Sequence, residues 1–185
     1  DWTDIQITVD NPATPIYDPS ILNAGKAHSL GLEAEVQAAV TERLTIGLTL
    51  SVQEAEYDEG SLPTGEPLDK IPFAPKYTSD LNAEYSIPLA GGSLSLIGEA
   101  LFRGESYLTN DNHEDGRVDD YVLFNARVRY APDGGNWSVT LWGKNLGDET
   151  VKQRLFDLYS QDLVGQKLIA LNDPRMYGVT VRFDF

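Results

Sequence analysis

Three arginines stand on the polar sides of segments in which apolar and polar residues alternate, and they are candidates for binding an anionic ligand: Arg103, Arg127 and Arg129. A guanidinium group is permanently charged and donates hydrogen bonds in a fixed fork, so it suits anions. If the three side chains share one face, they form a basic track. The alternative, which we favour, is that they form salt bridges with carboxylates of the same face, such as Glu84, Glu99 and Asp184.

The stretch DNHEDGRVDD (111–120) concentrates carboxylates around one of the two histidines of the chain. Asp111, His113 and Asp115 are candidate ligands for a cation, because hard cations prefer clustered oxygen atoms. The spacing does not match an EF-hand, and an acidic surface loop is the commoner explanation. We therefore predict no resident metal and no other cofactor.

Catalytic arrangements are not apparent in the sequence. His28 and His113 are the only histidines, and neither lies near a Gly-x-Ser-x-Gly motif, so a Ser–His–acid enzyme is disfavoured. The carboxylates are numerous enough to supply a glycosidase pair by chance, so their abundance indicates nothing. We predict no catalytic residue and a protein that is not an enzyme.

The composition excludes several classes of protein. The 185 residues include 29 acidic and 14 basic side chains, a net charge of -15, which argues against nucleic acid as a partner. There is no cysteine, which excludes disulfides and thiolate metal sites. No run of about 18 apolar residues occurs, so a transmembrane helix is excluded, whereas membrane-spanning strands remain possible.

Alternation with a period of two residues recurs along the whole chain and predicts β-strands. Eight segments show it: roughly 3–9, 28–40, 43–56, 76–87, 93–105, 119–130, 136–145 and a terminal strand from Met176. One side of each segment is apolar, and the other carries charges within the strand rather than in the turns. An exception to the period lies in 150–165, where Leu155, Leu158 and Tyr159 have helical spacing. This spacing predicts a short helix that contacts ligand, or packing within a loop.

Long and short connections alternate strictly between the segments. Links 10–27, 57–75, 106–118 and 146–174 are long, whereas the other turns are short. In an up-and-down meander this places all long loops at one end, which is the anatomy of a transmembrane barrel and not of a Greek-key sandwich. The apolar sides also have aromatic residues near their ends, as interfacial girdles do. The sequence therefore predicts an all-β, antiparallel, up-and-down transmembrane β-barrel portion.

The barrel predicted from these segments is larger than the chain. A sheet in hydrocarbon must pair every backbone group and so must close. The chain starts within a predicted strand, and the link between the first two segments suits a large barrel. We expect about eight strands of a larger barrel, in which the two edge strands pair with strands outside these residues.

Several motifs resemble one family of membrane proteins. WSVTLWGKNLGDETV (137–151) resembles the penultimate strand of TonB-dependent outer-membrane receptors, and NDPRMYGVTVRFDF (172–185) resembles their closing strand. The stretches 31–51 and 71–87 resemble mid-barrel hairpins of that family. The resemblance covers essentially the whole chain, and the closing strand and Lys144-Asn145-Leu146 are its specific parts.

The resemblance implies a bacterial protein that is integral to the outer membrane and takes part in TonB-energised uptake of a scarce ligand, such as an iron–siderophore, cobalamin or an oligosaccharide. It implies that residues 1–185 form a single unit, the C-terminal part of the receptor barrel, with the plug domain absent. The expected partners are the small-molecule ligand, outer-membrane lipid and lipopolysaccharide, the barrel-assembly machinery, and TonB through the missing N-terminal region. It also implies an assembly signal, read as a paired strand, in the alternate residues of the ending: Tyr177, Val179, Val181, Phe183 and Phe185.

Two other interpretations remain open from the sequence. One is a complete small eight-stranded barrel with an adhesive or structural role, and the other is a soluble, acidic β-sandwich that binds carbohydrate. The receptor interpretation is wrong if one set of apolar side chains packs against a second protein layer: Ile46, Leu48, Val139 and Val181.

Overall fold

The computed structural model describes residues 1–10, 19–62, 65–158 and 166–184. These residues form antiparallel strands joined by turns and one short 3-10 helix, Glu114–Gly116. The strands are β1 (Trp2–Thr3), β2 (Gln6–Asp10), β3 (Pro19–Asn23), β4 (Lys26–Ala39), β5 (Leu44–Glu59), β6 (Tyr77–Leu89), β7 (Gly92–Arg103), β8 (Ser106–Tyr107), β9 (Arg117–Val118), β10 (Tyr121–Pro132), β11 (Trp137–Lys144), β12 (Lys152–Leu158), β13 (Gln166–Leu171) and β14 (Met176–Phe183). No helix among the described residues is long and apolar enough to span a membrane.

The main sheet has eight strands in the order β1-β4-β5-β6-β7-β10-β11-β14. Each long strand pairs with the next long strand along the chain, so the sheet is the predicted up-and-down meander. Three small hairpins lie within the long connections: β2–β3, β8–β9 and β12–β13. The predicted fold class is therefore confirmed.

The connections place the loops at two distinct ends of the sheet. The turns 40–43, 90–91 and 133–136 form the short-turn end, and the described parts of 60–76, 104–120 and 145–175 lie at the opposite, long-loop end. Gly91 (φ 86°) and Gly134 (φ 62°) occupy the left-handed region in two of the short turns, a conformation that glycine adopts without a steric penalty.

The strand register sorts the side chains onto two faces. One row across the sheet reads Val36, Leu48, Leu81, Ala100 and Phe124, and the row beside it reads Gln37, Gly47, Asn82, Glu99 and Asn125. Because side chains alternate across a strand, the first row belongs to an apolar face and the second to a polar face. Aromatic residues lie near both ends of the apolar face, with Tyr130, Trp137 and Phe183 near the short turns and Tyr77, Phe102 and Tyr177 near the long loops.

No second protein layer covers the apolar face in the part of the chain that the structure describes. None of Ile46, Leu48, Val139 and Val181 is buried, and Val181 is 53% exposed. The buried hydrophobic residues of the described chain form two clusters at the long-loop end, one around Tyr57 and Leu68 and one around Leu108, Val118 and Val151. The arrangement expected of a sandwich core is thus not found.

One local prediction is wrong, and of the two alternatives for 150–165 the helix is wrong while packing within the loop agrees with the position of Leu155. The first predicted segment, 3–9, is not one strand of the main sheet, because Asp4 has a φ of 54° and diverts the chain after β1; Gln6–Asp10 instead pairs with Pro19–Asn23. The helix considered for 150–165 is absent from its described part, since Lys152–Leu158 is strand β12 paired with β13. Leu155 packs beside Leu108, Val118 and Val151, so burial against the loop determines its conformation. Tyr159 and the residues to 165 lie outside the described part.

Candidate ligand-binding recess at the long-loop end

A recess of about 350 Å³ lies where the polar face meets the long loops. Its floor is the sheet, through Gln53, Thr78, Arg103 and Tyr121, and loop residues such as Phe73, Ser106 and Lys152 form its sides. Thr78, Arg103 and Tyr121 stand opposite one another in adjacent strands. The recess therefore depends on both the sheet register and the path of the loops, and it joins polar groups to aromatic surfaces, as small-molecule sites do.

Arg103 is held firmly against the floor of the recess. Its Nη1 donates to Asp80 Oδ1 at 2.6 Å and to the carbonyl of Phe102 at 2.8 Å, and its Nη2 lies 3.4 Å from Asp80 Oδ2. The charge of the guanidinium is thus largely balanced by the Asp80 carboxylate. Such a two-point pair fixes the orientation of both side chains.

Lys152 brings a second cation to the recess from the first residue of β12. Its Nζ donates to the backbone carbonyls of Asp115 and Arg117, at 3.0 Å each. Within the described residues, no carboxylate is ion-paired with this ammonium. Lys152 could not be predicted from the sequence, because neither an alternating pattern nor a motif identifies a loop lysine that only tertiary contacts place beside the sheet.

Ion pairs fix the loop 104–120 around the recess. Arg117 lies near Asp119, Glu114 and Glu105, at 2.5, 3.4 and 3.7 Å, and these negative charges, Asp119 above all, raise the pKa of its guanidinium. Lys167 Nζ contacts Asp115 Oδ2 at 2.5 Å, and this hydrogen bond lowers the pKa of the Asp115 carboxyl. The contact ties the hairpin β12–β13 to the same loop.

Asn145 organises the base of the last long loop. It is only 5% exposed, and its side chain bonds to the backbone of Glu149 in both directions, at 2.8 and 2.9 Å, and to the carbonyl of Asp173 at 3.1 Å. Its own N–H donates to Asn125 Oδ1 at 3.0 Å. Its φ of 49° is one that asparagine tolerates better than most residues. The motif Lys144-Asn145-Leu146 therefore has a structural role at this position.

The three arginines predicted to bind ligand share the polar face but not one location. Only Arg103 lines the recess, and its partner is Asp80 rather than the carboxylates considered from the sequence. Arg127 lies on β10, six residues beyond Tyr121, which is the residue opposite Arg103, so the two arginines are about 20 Å apart. Arg127 pairs with Glu99. Arg129 has no ion pair among the described residues. Their role in binding stays a prediction.

The candidate metal ligands do not converge. Asp111 accepts a hydrogen bond from Thr109, and Asp115 contacts both Lys167 and His113, the latter at 3.3 Å. Among the described residues, no group of three or more histidine, aspartate or glutamate side chains is arranged to hold a metal ion.

The predicted assembly signal lies on β14, at one edge of the main sheet. Tyr177, Val179, Val181 and Phe183 are on the apolar face, and each is more than half exposed. Phe185 lies outside the described residues. The register therefore gives these side chains the alternate spacing that the sequence suggested, while their role in assembly stays a prediction.

Comparison with known proteins assigns the family. Residues 3–146 match the family model described as TonB dependent receptor-like, beta-barrel. The chain belongs to this family. Its barrels are those of outer-membrane receptors, and the family is one of transporters and receptors rather than enzymes.

Individual relatives agree with this assignment. The chain is 25% identical over 166 residues to the ferric-pyoverdine receptor PbuA of a Pseudomonas strain. The aligned region covers 89% of this chain and 19% of that protein. In fold it is similar to the ferric yersiniabactin uptake receptor FyuA of Yersinia pestis, with a TM-score of 0.77, 20% identity and coverage of 90% of this chain and 25% of the other. It is also similar to the ferric preacinetobactin receptor BauA of Acinetobacter baumannii, with a TM-score of 0.67, 20% identity and coverage of 97% and 26%. The chain thus spans about a fifth to a quarter of the proteins it matches.

Proposed function

We propose that this TonB-dependent receptor chain forms part of a barrel that imports a ferric siderophore. The observation that carries the proposal is the recess, which joins the inner wall to the long loops and presents Arg103 and Lys152 beside Tyr121 and Phe73. A ligand arriving from outside meets the long loops first, and the recess opens at that end. The names of the three relatives described above, receptors for ferric pyoverdine, ferric yersiniabactin and ferric preacinetobactin, favour this ligand class over cobalamin or oligosaccharides.

In this proposal the chain is integral to the outer membrane. Its uncovered apolar rows contact lipid acyl chains, and its polar rows line an aqueous interior. The short turns then lie on the periplasmic side and the long loops on the extracellular side. The aromatic residues near both ends of the apolar face support this placement, since such residues prefer the two membrane interfaces.

The proposed partners follow from the same placement. TonB and the plug act through a part of the receptor outside residues 1–185, which form the C-terminal barrel portion. The barrel-assembly machinery binds β14 by strand pairing at the sheet edge. The acidic stretch 54–69, in which the end of β5 passes into the long loop, bridges to lipopolysaccharide through divalent cations.

Deletion of the complete receptor gene tests the proposal. The deletion strain should fail to grow on at least one ferric siderophore as its sole iron source and should no longer accumulate radiolabelled iron from it. Complementation with the full-length gene should restore both, but only when TonB is present. Unchanged growth on every ferric siderophore, together with a defect on cobalamin or an oligosaccharide, would contradict the proposed ligand.

A further inference from the structure

The recess differs in charge from the chain that builds it. The protein has 29 acidic and 14 basic residues, yet the recess is lined by two cations, Arg103 and Lys152, and by no aspartate or glutamate among the described residues. An acidic protein repels anions over long distances, and this effect is screened by salt beyond about 10 Å. At contact distance, the local charges of the recess therefore dominate.

The two cations of the recess are not equivalent. Arg103 shares its charge with Asp80 at 2.6 Å, so this pair shapes the floor and adds little net charge. Among the described residues, the hydrogen bonds of Lys152 go to the carbonyls of Asp115 and Arg117. The Asp115 carboxylate attracts it from a longer distance but is itself hydrogen-bonded to Lys167. An ammonium group has three N–H donors, so two bonds orient it and one donor is left for a further acceptor. A carbonyl orients the ammonium without cancelling its charge.

We propose that the recess selects an anionic ferric chelate, whose carboxylate or catecholate oxygens leave it with net negative charge, and that Lys152 is the residue that determines this specificity. The inference rests on the proposed function and names the class of siderophore. The volume of about 350 Å³ is within the range of small-molecule sites, which starts at about 300 Å³. Tyr121 and Phe73 offer aromatic surface to the organic part of the chelate.

The direct test compares chelates of different charge on the purified full-length receptor in detergent. The probes are a trianionic ferric tris-catecholate, ferric citrate and a neutral ferric tris-hydroxamate, and binding is followed by quenching of tryptophan fluorescence. The variants are Lys152→Gln, Lys152→Arg and a matched control, Lys26→Gln. Lys26 is also at the long-loop end but pairs with Glu59 at 3.0 Å, away from the recess.

Lys152→Gln should weaken binding of an anionic chelate by about tenfold or more, because a hydrogen bond to a charged group is lost. Lys152→Arg should retain most of the affinity, and Lys26→Gln should leave it unchanged. Raising the salt concentration should weaken binding to the wild-type receptor and should weaken it less in Lys152→Gln. The salt series on the wild type needs no variant to fold.

The outcomes separate the two proposals. If a ferric chelate binds but the neutral hydroxamate binds as tightly as the anionic probes, with no effect of salt or of Lys152→Gln, the anionic specificity is refuted and siderophore import stands. If none of the ferric chelates binds and the deletion strain grows normally on all of them, the proposed function itself is refuted.

Discussion

Replacement of Asn145 by alanine should loosen the last long loop without unfolding the sheet. The change removes three hydrogen bonds, two with the backbone of Glu149 and one with the carbonyl of Asp173. At about 0.5–1.5 kcal/mol each, the loss is about 1.5–4.5 kcal/mol. Alanine in a left-handed conformation adds about 1 kcal/mol, since Asn145 has a φ of 49°.

The assay is amide hydrogen exchange on the full-length receptor. The N–H groups of Glu149 and Val151, which donate to Asn145 and Asn172 side chains at 2.9 and 2.8 Å, should exchange faster. A loss of about 3 kcal/mol corresponds to a loss of protection of about a hundredfold. Amides in β6 and β7 should keep their protection, since they lie outside this network.

A control variant separates the two contributions. Asn145→Gly also loses the side-chain bonds but tolerates the positive φ, so its effect should be smaller than that of Asn145→Ala by about 1 kcal/mol. If the amides of Glu149 and Val151 are equally protected from exchange in the wild type and in Asn145→Ala, the Asn145 side chain does not hold the base of the loop.

Three further predictions concern the sheet and the loop. Leu81→Arg, on the apolar face, should destabilise the barrel in phospholipid by about 2–4 kcal/mol, whereas Asn82→Arg, at the neighbouring position on the polar face, should destabilise it much less. Urea titration monitored by tryptophan fluorescence measures both free energies of unfolding, and equal losses would contradict the assignment of faces. Gly178→Ala should destabilise by about 1–3 kcal/mol, because a Cβ there would lie 2.2 Å from a tryptophan ring atom, while Gly98→Ala, which has open space, should be tolerated in the same titration. The pKa of Asp115 is lowered by its contact with Lys167, so this contact stabilises the loop above the ordinary carboxyl pKa and is lost as the pH falls through the lowered pKa. Protease sensitivity of the loop should therefore stay constant around neutral pH and rise only in acid, whereas the variant Asp115→Asn should be sensitive at every pH.

Strand positions were predicted well where alternation is long and uninterrupted. The segments 43–56, 76–87 and 93–105 became Leu44–Glu59, Tyr77–Leu89 and Gly92–Arg103. In a sheet with one apolar face, a shift of one residue moves every apolar side chain to the wrong face. Alternation therefore specifies both the strands and which side chains lie on which face of the sheet. The regular alternation of long and short connections specifies the meander.

Prediction failed where local pattern and tertiary contact disagree. The helical spacing in 150–165 did not form a helix over Lys152–Leu158, because pairing with β13 and burial of Leu155 stabilise a strand there. The first predicted segment was divided by a positive φ at Asp4, which alternation does not report. Short stretches of this kind lack enough residues for a pattern to outweigh their contacts.

The candidate site was only partly accessible to sequence reasoning. Arg103 could be proposed because its strand pattern places it on the polar face, but its pairing with Asp80 depends on which residues the register sets near it. Lys152 could not be proposed, since its position depends on hydrogen bonds to the carbonyls of Asp115 and Arg117, more than 30 residues away in sequence.

The sequence by itself determined the antiparallel strands and their two faces, because both depend on residue type at a period of two, and the lengths of its connections indicated the meander. The family was suggested by the resemblance of the motifs in 137–151 and 172–185 and is assigned by the family model. The tertiary structure alone decided how the long loops fold back over the polar face, where the recess forms and which of its cations has no ion pair among the described residues. Those features depend on contacts between residues distant in the chain, and a local pattern carries no information about such distances.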